Sequence, residues 1–300
     1  MNMPATCAPT LEAAARDAVA RGLAEDIGTS GAGLDITSAC AIDESVAGRF
    51  VVRARTSATI AGMACVGEAA RACGVSSCAL LQDGDQATAG QAVAYLDGQV
   101  RGVLLAERTA LNLLGLLSGT ATTTRAFVDA VRAGGAGTRV CATRKTIPGL
   151  RTLQKHAVQC GGGEPHRFGL HDAVLLKDNH LAGLDPAAVA SCAHRVSREA
   201  RARFAPAFVC CEVDSTPQLD ALLALPDGVI DIILLDNFGI DQLAEAVGRR
   251  DAARSRVLLE ASGGVAINTA GAIAKTGVDR ISVGALTHSV PWVDFGLDDA

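Results

Sequence analysis

The sequence predicts an α/β protein in which a mixed α+β first third precedes a TIM-like barrel of parallel strands. Three observations carry this. After Gly137, apolar strand-like runs at 138–143, 172–177, 208–213, 230–235, 257–261 and 280–285 alternate with helical patterns at about 149–160, 185–203, 215–225, 240–253 and 266–276. Successive β–α units with short turns imply parallel strands and right-handed crossovers. Near-continuous Val, Ile and Leu in Ile230–Leu235 and Val257–Leu259 fits strands covered on both faces. Each run also ends in polar residues or glycine: Arg144-Lys145, Lys177-Asp178-Asn179, Glu212-Val213-Asp214, Asp236-Asn237, Glu260-Ala261-Ser262-Gly263-Gly264 and Gly284. A barrel brings all those C-terminal ends to one mouth, whereas an open sheet concentrates its site at one switch point. With six strands in place of eight, the barrel is incomplete.

The earlier elements follow from periodicity. Leu11, Ala14, Ala15, Ala18, Val19 and Leu23 share one face of a helix that ends at Glu25, Asp26 and Gly28. Residues 28–35, rich in Gly and Ser, read as a loop. Phe50–Ile60 reads as a strand, followed by a helix to about Cys73, a short strand near Ala79–Leu81 and another at Gln91–Leu96. From Val103 an apolar helical pattern runs through Leu117, and a second helix is expected over Thr120–Val131. Arg108 is the anomaly there. Leu104, Leu105 and Leu111 place it on an apolar face, so it is either buried, or aimed at another protein, or a snorkelling surface side chain.

The 300 residues are 49% hydrophobic, enough for a large core in one big domain or two ordinary ones. A net charge of −5, no long basic run, and a single Trp and Tyr argue against nucleic-acid binding. Apolar runs are broken well short of a membrane span, so no membrane association is expected. No charged n-region precedes an apolar core, so no signal peptide is expected. The ten cysteines include no Cys-x-x-Cys pair and none has a His at zinc-finger spacing. Reduced, buried thiols in a cytoplasmic protein are expected, not a disulfide framework or a zinc site. His156, mid-helix, and His194, on a helix surface, read as structural.

Two sets of charges converge on the predicted mouth. One is cationic: Arg144, Lys145, His166, Arg167 and Lys177. Guanidinium forks grip carboxylates bidentately, while Lys acts as a point charge. The other is acidic: Glu212, Asp214, Asp236 and Glu260, although Asp214 could equally cap the helix from Ser215. Carboxylates beside an anion site make sense with Mg2+ between them and a phosphate. Ser262-Gly263-Gly264 and Val283-Gly284-Ala285 follow the last two strands, where barrels hold phosphates on backbone N–H groups. Phosphate, metal and a second anion suggest a sugar-phosphate donor and an acidic acceptor. A Schiff-base aldolase using Lys177 and a non-catalytic sugar-phosphate sensor are the competing classes.

The order of Glu107-Arg108-Thr109-Ala110-Leu111-Asn112, Leu117-Ser118-Gly119, Thr143-Arg144-Lys145-Thr146, Gly161-Gly162-Gly163, His166-Arg167, Lys177-Asp178-Asn179-His180, Glu212-Val213-Asp214, Leu235-Asp236-Asn237, Glu260-Ala261-Ser262-Gly263-Gly264 and Val283-Gly284-Ala285 resembles the quinolinate phosphoribosyltransferase family across about residues 11–297. A related paralogue found with molybdate transport shares the fold, and Lys177-Asp178-Asn179-His180 argues against it. The resemblance implies an N-terminal α/β sandwich domain over 1–118, an incomplete barrel with the active site over 119–288, and a tail at 289–300 returning to the first domain. It implies transfer of phosphoribosyl from phosphoribosyl pyrophosphate (PRPP) to quinolinate with loss of CO2, in de novo NAD biosynthesis, with Mg2+ as cofactor. It also implies a homodimer, with further assembly open, whose partner's Arg108 reaches quinolinate. By position, Arg144 and Arg167 would hold the quinolinate carboxylates with His166 alongside, and Thr143 would also contact substrate. Lys145 and Lys177 would lie between acceptor and diphosphate, and Glu212 and Asp236 would serve the ribose hydroxyls and Mg2+. Ser262, Gly263, Gly264, Val283, Gly284 and Ala285 would cradle the 5′-phosphate. Lys145, Lys177, Glu212 and Asp236 are the expected catalytic set. Departures from the family pattern are Thr120, where an apolar residue is expected, Glu164-Pro165 before His166, and the lengthened loop at 28–35.

Overall fold

A computed structural model of the chain describes residues 8–28, 35–135 and 137–300. Most of the 28–35 loop, and Cys7, lie outside the described residues.

Thr10 opens helix α1 (Leu11–Ile27) by accepting a hydrogen bond from the Ala13 N–H, and Ala14, Ala15, Ala18 and Val19 are buried, the face that periodicity predicts. Asp35 caps the short α2 (Ile36–Ala41) in the same way. The expected strand over Phe50–Ile60 is two strands, β1 (Ala47–Ala54) and β2 (Ala58–Thr59). After them come α3 (Met63–Ala72), β3 (Ser76–Ala79), β4 (Gln86–Ala87) and β5 (Ala92–Gln99).

Helix α4 (Val100–Gly134) is one helix of 35 residues, not two. The polar stretch from Thr120 suggested a break. Instead, Thr120 and Thr124 are buried, and their hydroxyls donate to the carbonyls of Leu116 and Thr120, four residues back. This back-bonding lets a polar residue sit inside a helix.

The remaining elements alternate as expected: β6 (Arg139–Cys141), α5 (Arg151–Cys160), β7 (Val174–Leu176), α6 (Asp178–Leu181), α7 (Pro186–Phe204), β8 (Val209–Val213), α8 (Thr216–Leu223), β9 (Ile232–Asp236), α9 (Ile240–Ala252), β10 (Leu258–Ser262), α10 (Ile267–Lys275), β11 (Arg280–Ser282), α11 (Ala285–His288) and β12 (Phe295–Asp299).

The chain divides into two compact units. One gathers Ala8–Arg125, Lys145–Gly163 and Leu286–Ala300. It holds the four-stranded sheet β12-β1-β5-β3, in which every pairing is antiparallel. Helix α5 joins this unit because Leu153 and Ala157 pack into a core with Ala15, Val19, Cys65, Ala106 and Leu117. The tail 291–293 runs against α4 where glycines allow it. A Cβ on Gly119 would sit 2.3 Å from the Pro291 carbonyl oxygen, and the Val293 N–H donates to the Gly115 carbonyl at 3.1 Å.

The other unit covers Ala126–Arg144 and Glu164–Ala285. Its six strands are all parallel, in the order β6-β11-β10-β9-β8-β7. The first strand pairs with the last, the order of a barrel and not of a doubly wound sheet. Between β6 and β7 the sheet stays open, the incomplete barrel. At that gap Glu164 makes an isolated bridge with Cys141, its N–H donating to Val140 and its carbonyl accepting from Ala142. Glu164 therefore has a structural task, steering the chain toward His166.

Candidate active site

Because the six strands are parallel, their C-terminal ends lie along one edge. That edge carries Thr143 and Arg144 after β6, Lys177 after β7, Glu212 near the end of β8, Asp236 ending β9, Ser262-Gly263-Gly264 at and after β10, and Val283-Gly284-Ala285 after β11. His166 and Arg167 enter from the segment beside the β6–β7 gap. Lys145 and Arg108 belong to the other unit. The Lys145 carbonyl accepts from Thr287 Oγ1 at 2.8 Å. Arg108 is neither buried nor packed on the apolar face of α4: its side chain is 64% exposed and lies 3.6 Å from Glu107.

Two guanidiniums, those of Arg144 and the buried Arg167, and the His166 ring gather at one part of this edge. Arg167 is buried, and its guanidinium is pushed below its ordinary range by that burial and then by the charge of Arg144. The Nε of Arg144 is buried and finds no acceptor among the described residues. His166 adopts a left-handed conformation, φ 51°, and its Nδ1 accepts from the Arg167 N–H at 2.7 Å. That fixes Nε2 as the free face of the ring. Nε2 lies 3.2 Å from Glu260 Oε1 but out of line for a hydrogen bond. Mutually repelling cations with an unsatisfied donor are costly without an anion between them.

Glu260 is the main correction to the sequence reading. Placed among the acids of the mouth, it is fully buried instead. Its carboxylate takes Arg280 Nε at 2.7 Å and the Ser282 hydroxyl, and neighbours His166. Burial alone would raise its pKa, but His166, then Arg280 and Ser282, hold it down at about 2. Arg280 continues to Glu164 at 3.6 Å, and Glu164 to Arg139 at 3.3 Å. Glu260, Arg280 and Ser282 thus form a framework beneath His166. Sequence reasoning missed it because its members come from separate strands with no spacing signal.

The part of the edge around Lys177 is built differently. Lys177 Nζ lies 2.5 Å from Glu212 Oε2, with Lys177 44% exposed and Glu212 9% exposed at the side chain. The Lys177 backbone is held by its own motif, since His180 Nδ1 accepts from the Lys177 N–H at 3.0 Å. Asp236 accepts from Asn237 Nδ2 at 2.8 Å. Asp214 is exposed, and the residue capping α8 is Ser215.

Gly263 is required by close approach. A Cβ there would lie 2.2 Å from Asn237 Oδ1, and its φ of +88° is in the left-handed region. Asn237 is itself left-handed at φ 58°, and its N–H donates to the Ser262 carbonyl at 2.9 Å. The two strand ends therefore interlock, and the Gly263 and Gly264 backbone is exposed. Bare backbone at a strand end suits a phosphate.

Known proteins agree with this geometry. The N-terminal domain of quinolinate phosphoribosyl transferase matches residues 35–118, and its C-terminal domain matches residues 120–298. A nicotinate-nucleotide pyrophosphorylase [carboxylating] of Mycobacterium leprae is 43% identical over 290 residues, 95% of this chain and 97% of the relative. The same-named protein of Rattus norvegicus is 35% identical over 73% of this chain and 70% of its own length. The solved nicotinate-nucleotide pyrophosphorylase of Francisella tularensis superposes with a TM-score of 0.85 at 35% identity, covering 97% of this chain and 98% of that one. The chain belongs to the quinolinate phosphoribosyltransferase family.

Proposed function

We propose that this enzyme, a pentosyltransferase, transfers phosphoribosyl from PRPP to quinolinate and releases CO2. Its products are nicotinate mononucleotide and diphosphate, in NAD biosynthesis. The single observation that carries this reading is the Arg144–Arg167 pair with its unsatisfied buried Nε. Two guanidiniums and the His166 ring suit the two adjacent carboxylates of a small dianionic acceptor.

The chemistry needs no nucleophilic side chain. The pyridine nitrogen attacks ribose C1 while the C1–O bond breaks and its electron pair leaves with diphosphate. In the N-alkylated ring, the bond from C2 to its carboxylate then breaks. Its electron pair enters the ring, CO2 leaves, and C2 takes a proton. Thr143, Arg144, His166 and Arg167 would orient the acceptor, and orientation contributes much of the rate in such transfers. Lys177, and Lys145 next in the chain to Arg144, would stabilise negative charge as it develops on diphosphate. Ser262, Gly263, Gly264, Val283, Gly284 and Ala285 would hold the 5′-phosphate.

Glu212 and Asp236 end adjacent strands, with Glu212 already engaged by Lys177 and Asp236 only half-buried. Such a donor set fits Mg2+, which takes one or two carboxylates and fills its remaining positions with phosphate and water oxygens. Mg2+ held there would neutralise charge on the diphosphate. The same acids would meet the ribose hydroxyls. The exposed Arg108 supports a homodimer in which it enters the partner's site. No described helix is long and apolar enough to cross a membrane, and a cytoplasmic location is in keeping with that.

Incubating the purified protein with quinolinate, PRPP and Mg2+ should yield nicotinate mononucleotide, diphosphate and CO2 in equal amounts. No nucleotide product would overturn the reading. Mixing inactive Arg108→Ala and Arg144→Ala proteins should restore part of the activity. No regain in verified mixed dimers would exclude a shared site.

A further inference from the structure

Among the described residues, Asp83, His156 and Cys160 are the one group of three whose ligand atoms lie within 4.8 Å of one another. His156 and Cys160 stand four residues apart on α5 and so share a face. Asp83 arrives from the turn between β3 and β4. His156 Nε2 is 2.8 Å from Asp83 Oδ2, and Cys160 Sγ is 3.5 Å from the same nitrogen. None of the three has a role in the phosphoribosyl chemistry.

The site is formed in advance. Asp83 Oδ1 accepts from the backbone N–H groups of Gly62 at 2.9 Å and Met63 at 3.0 Å, which aims Oδ2 at the histidine. The turn itself is pinned, with the Gly84 N–H donating to the Ile60 carbonyl at 2.8 Å and the Gln82 N–H to Asp85 Oδ2 at 2.7 Å. Outer hydrogen bonds of this kind orient metal-binding carboxylates. The His156 side chain is 33% exposed and that of Asp83 is 17% exposed, so an ion can enter.

We propose that Asp83, His156 and Cys160 bind one borderline-soft divalent cation of the Zn2+ class, with water in the fourth position. Thiolate and imidazole select such an ion over Mg2+. Bond lengths of about 2.3 Å to sulfur and about 2.1 Å to nitrogen put tetrahedral S and N ligands about 3.6 Å apart, close to the spacing present. The nitrogen–oxygen spacing must open by roughly half an ångström, because a metal replaces the smaller proton between those atoms. On binding, the ion replaces any proton held by the imidazole nitrogen and the thiol, and that proton is released. The ion clamps α5 to the Asp83 turn. The same helix carries Gln154, which accepts from the Ile147 N–H and donates to the Thr287 carbonyl, each at 2.8 Å.

The test uses the full chain, stripped by a chelator and dialysed. Titration with Co2+ should give a thiolate-to-cobalt charge-transfer band and tetrahedral visible bands at one equivalent. Zn2+ should abolish them, release protons and raise Tm. Cys160→Ser and His156→Gln should each weaken Zn2+ binding at least tenfold and remove the Tm rise. Cys40→Ser, which alters an exposed thiol elsewhere, should change neither. Circular dichroism confirms that each variant is folded. Absence of the charge-transfer band, or unchanged Zn2+ affinity in folded Cys160→Ser, would overturn the proposal and leave an Asp83–His156 ion pair only.

Discussion

Glu212 and Glu260 occupy the same level of the parallel sheet. Register places Glu212 beside Leu234, Leu234 beside Glu260, Glu260 beside Arg280, and Arg280 beside Arg139. Both glutamates are buried, yet their partners differ. Glu260 faces Arg280, Ser282 and the His166 ring, and all three lie within the protein. Glu212 faces Lys177, a cation that still reaches solvent. Depth in the sheet therefore does not decide whether a carboxylate is framework or machinery. The neighbour's exposure decides it.

The comparison can be broken by mutation, and stability should respond most to Glu260. Glu260→Ala leaves His166 without its carboxylate and the buried Arg280 with only the more exposed Glu164 at 3.6 Å. A cost of about 3–5 kcal/mol is expected, a fall in Tm of roughly 5–15 °C by thermal melt. A loss below about 1 kcal/mol would mean that the framework is slack. Next in size is Arg144→Ala, which should lower kcat/KM for quinolinate about 100- to 1000-fold while leaving KM for PRPP nearly unchanged. Equal losses for both substrates would contradict its acceptor role. Glu212→Gln should behave as the mirror of Glu260. Turnover falls about tenfold or more, while stability changes by ~1 kcal/mol or less because Lys177 is solvated.

Acid should probe the Glu260 framework without any substitution. The Glu260 carboxyl is held at about 2 in the fold against 4.5 ordinarily. A depressed pKa contributes stability that is complete above the ordinary value and is lost as pH falls toward the folded one. Denaturant melts below pH 4.5 should therefore show falling stability, and Glu260→Gln should flatten that slope. An unchanged slope would place the acid sensitivity elsewhere.

Much of the edge was legible because parallel strands force their ends together, so Arg144, Lys177, Glu212, Asp236 and Gly263 could be placed from spacing alone. The family resemblance supplied roles for them. Glu260 was misplaced because strand position gives register but not partners, and its partners Arg280 and Ser282 sit on another strand. The single helix α4 was hidden by Thr120, whose hydroxyl bonds within the helix in a way composition does not reveal. The Asp83–His156–Cys160 group was invisible for a related reason. Two of its members share a helix face, but the third comes from a distant turn, and no motif joins them.

One consequence lies in the strand β12. It pairs with β1 from Phe50–Asp299 to Ala54–Phe295, so a strand that follows the whole parallel set completes the sheet that β1 began before it. Domains generally form in the order of synthesis. Here the sheet that β1 opens cannot finish until β12 has been made, after the parallel strands that lie between them in sequence. A sheet begun early is thus finished late, and removal of β12 would leave β1 as an open edge ready to pair with another molecule.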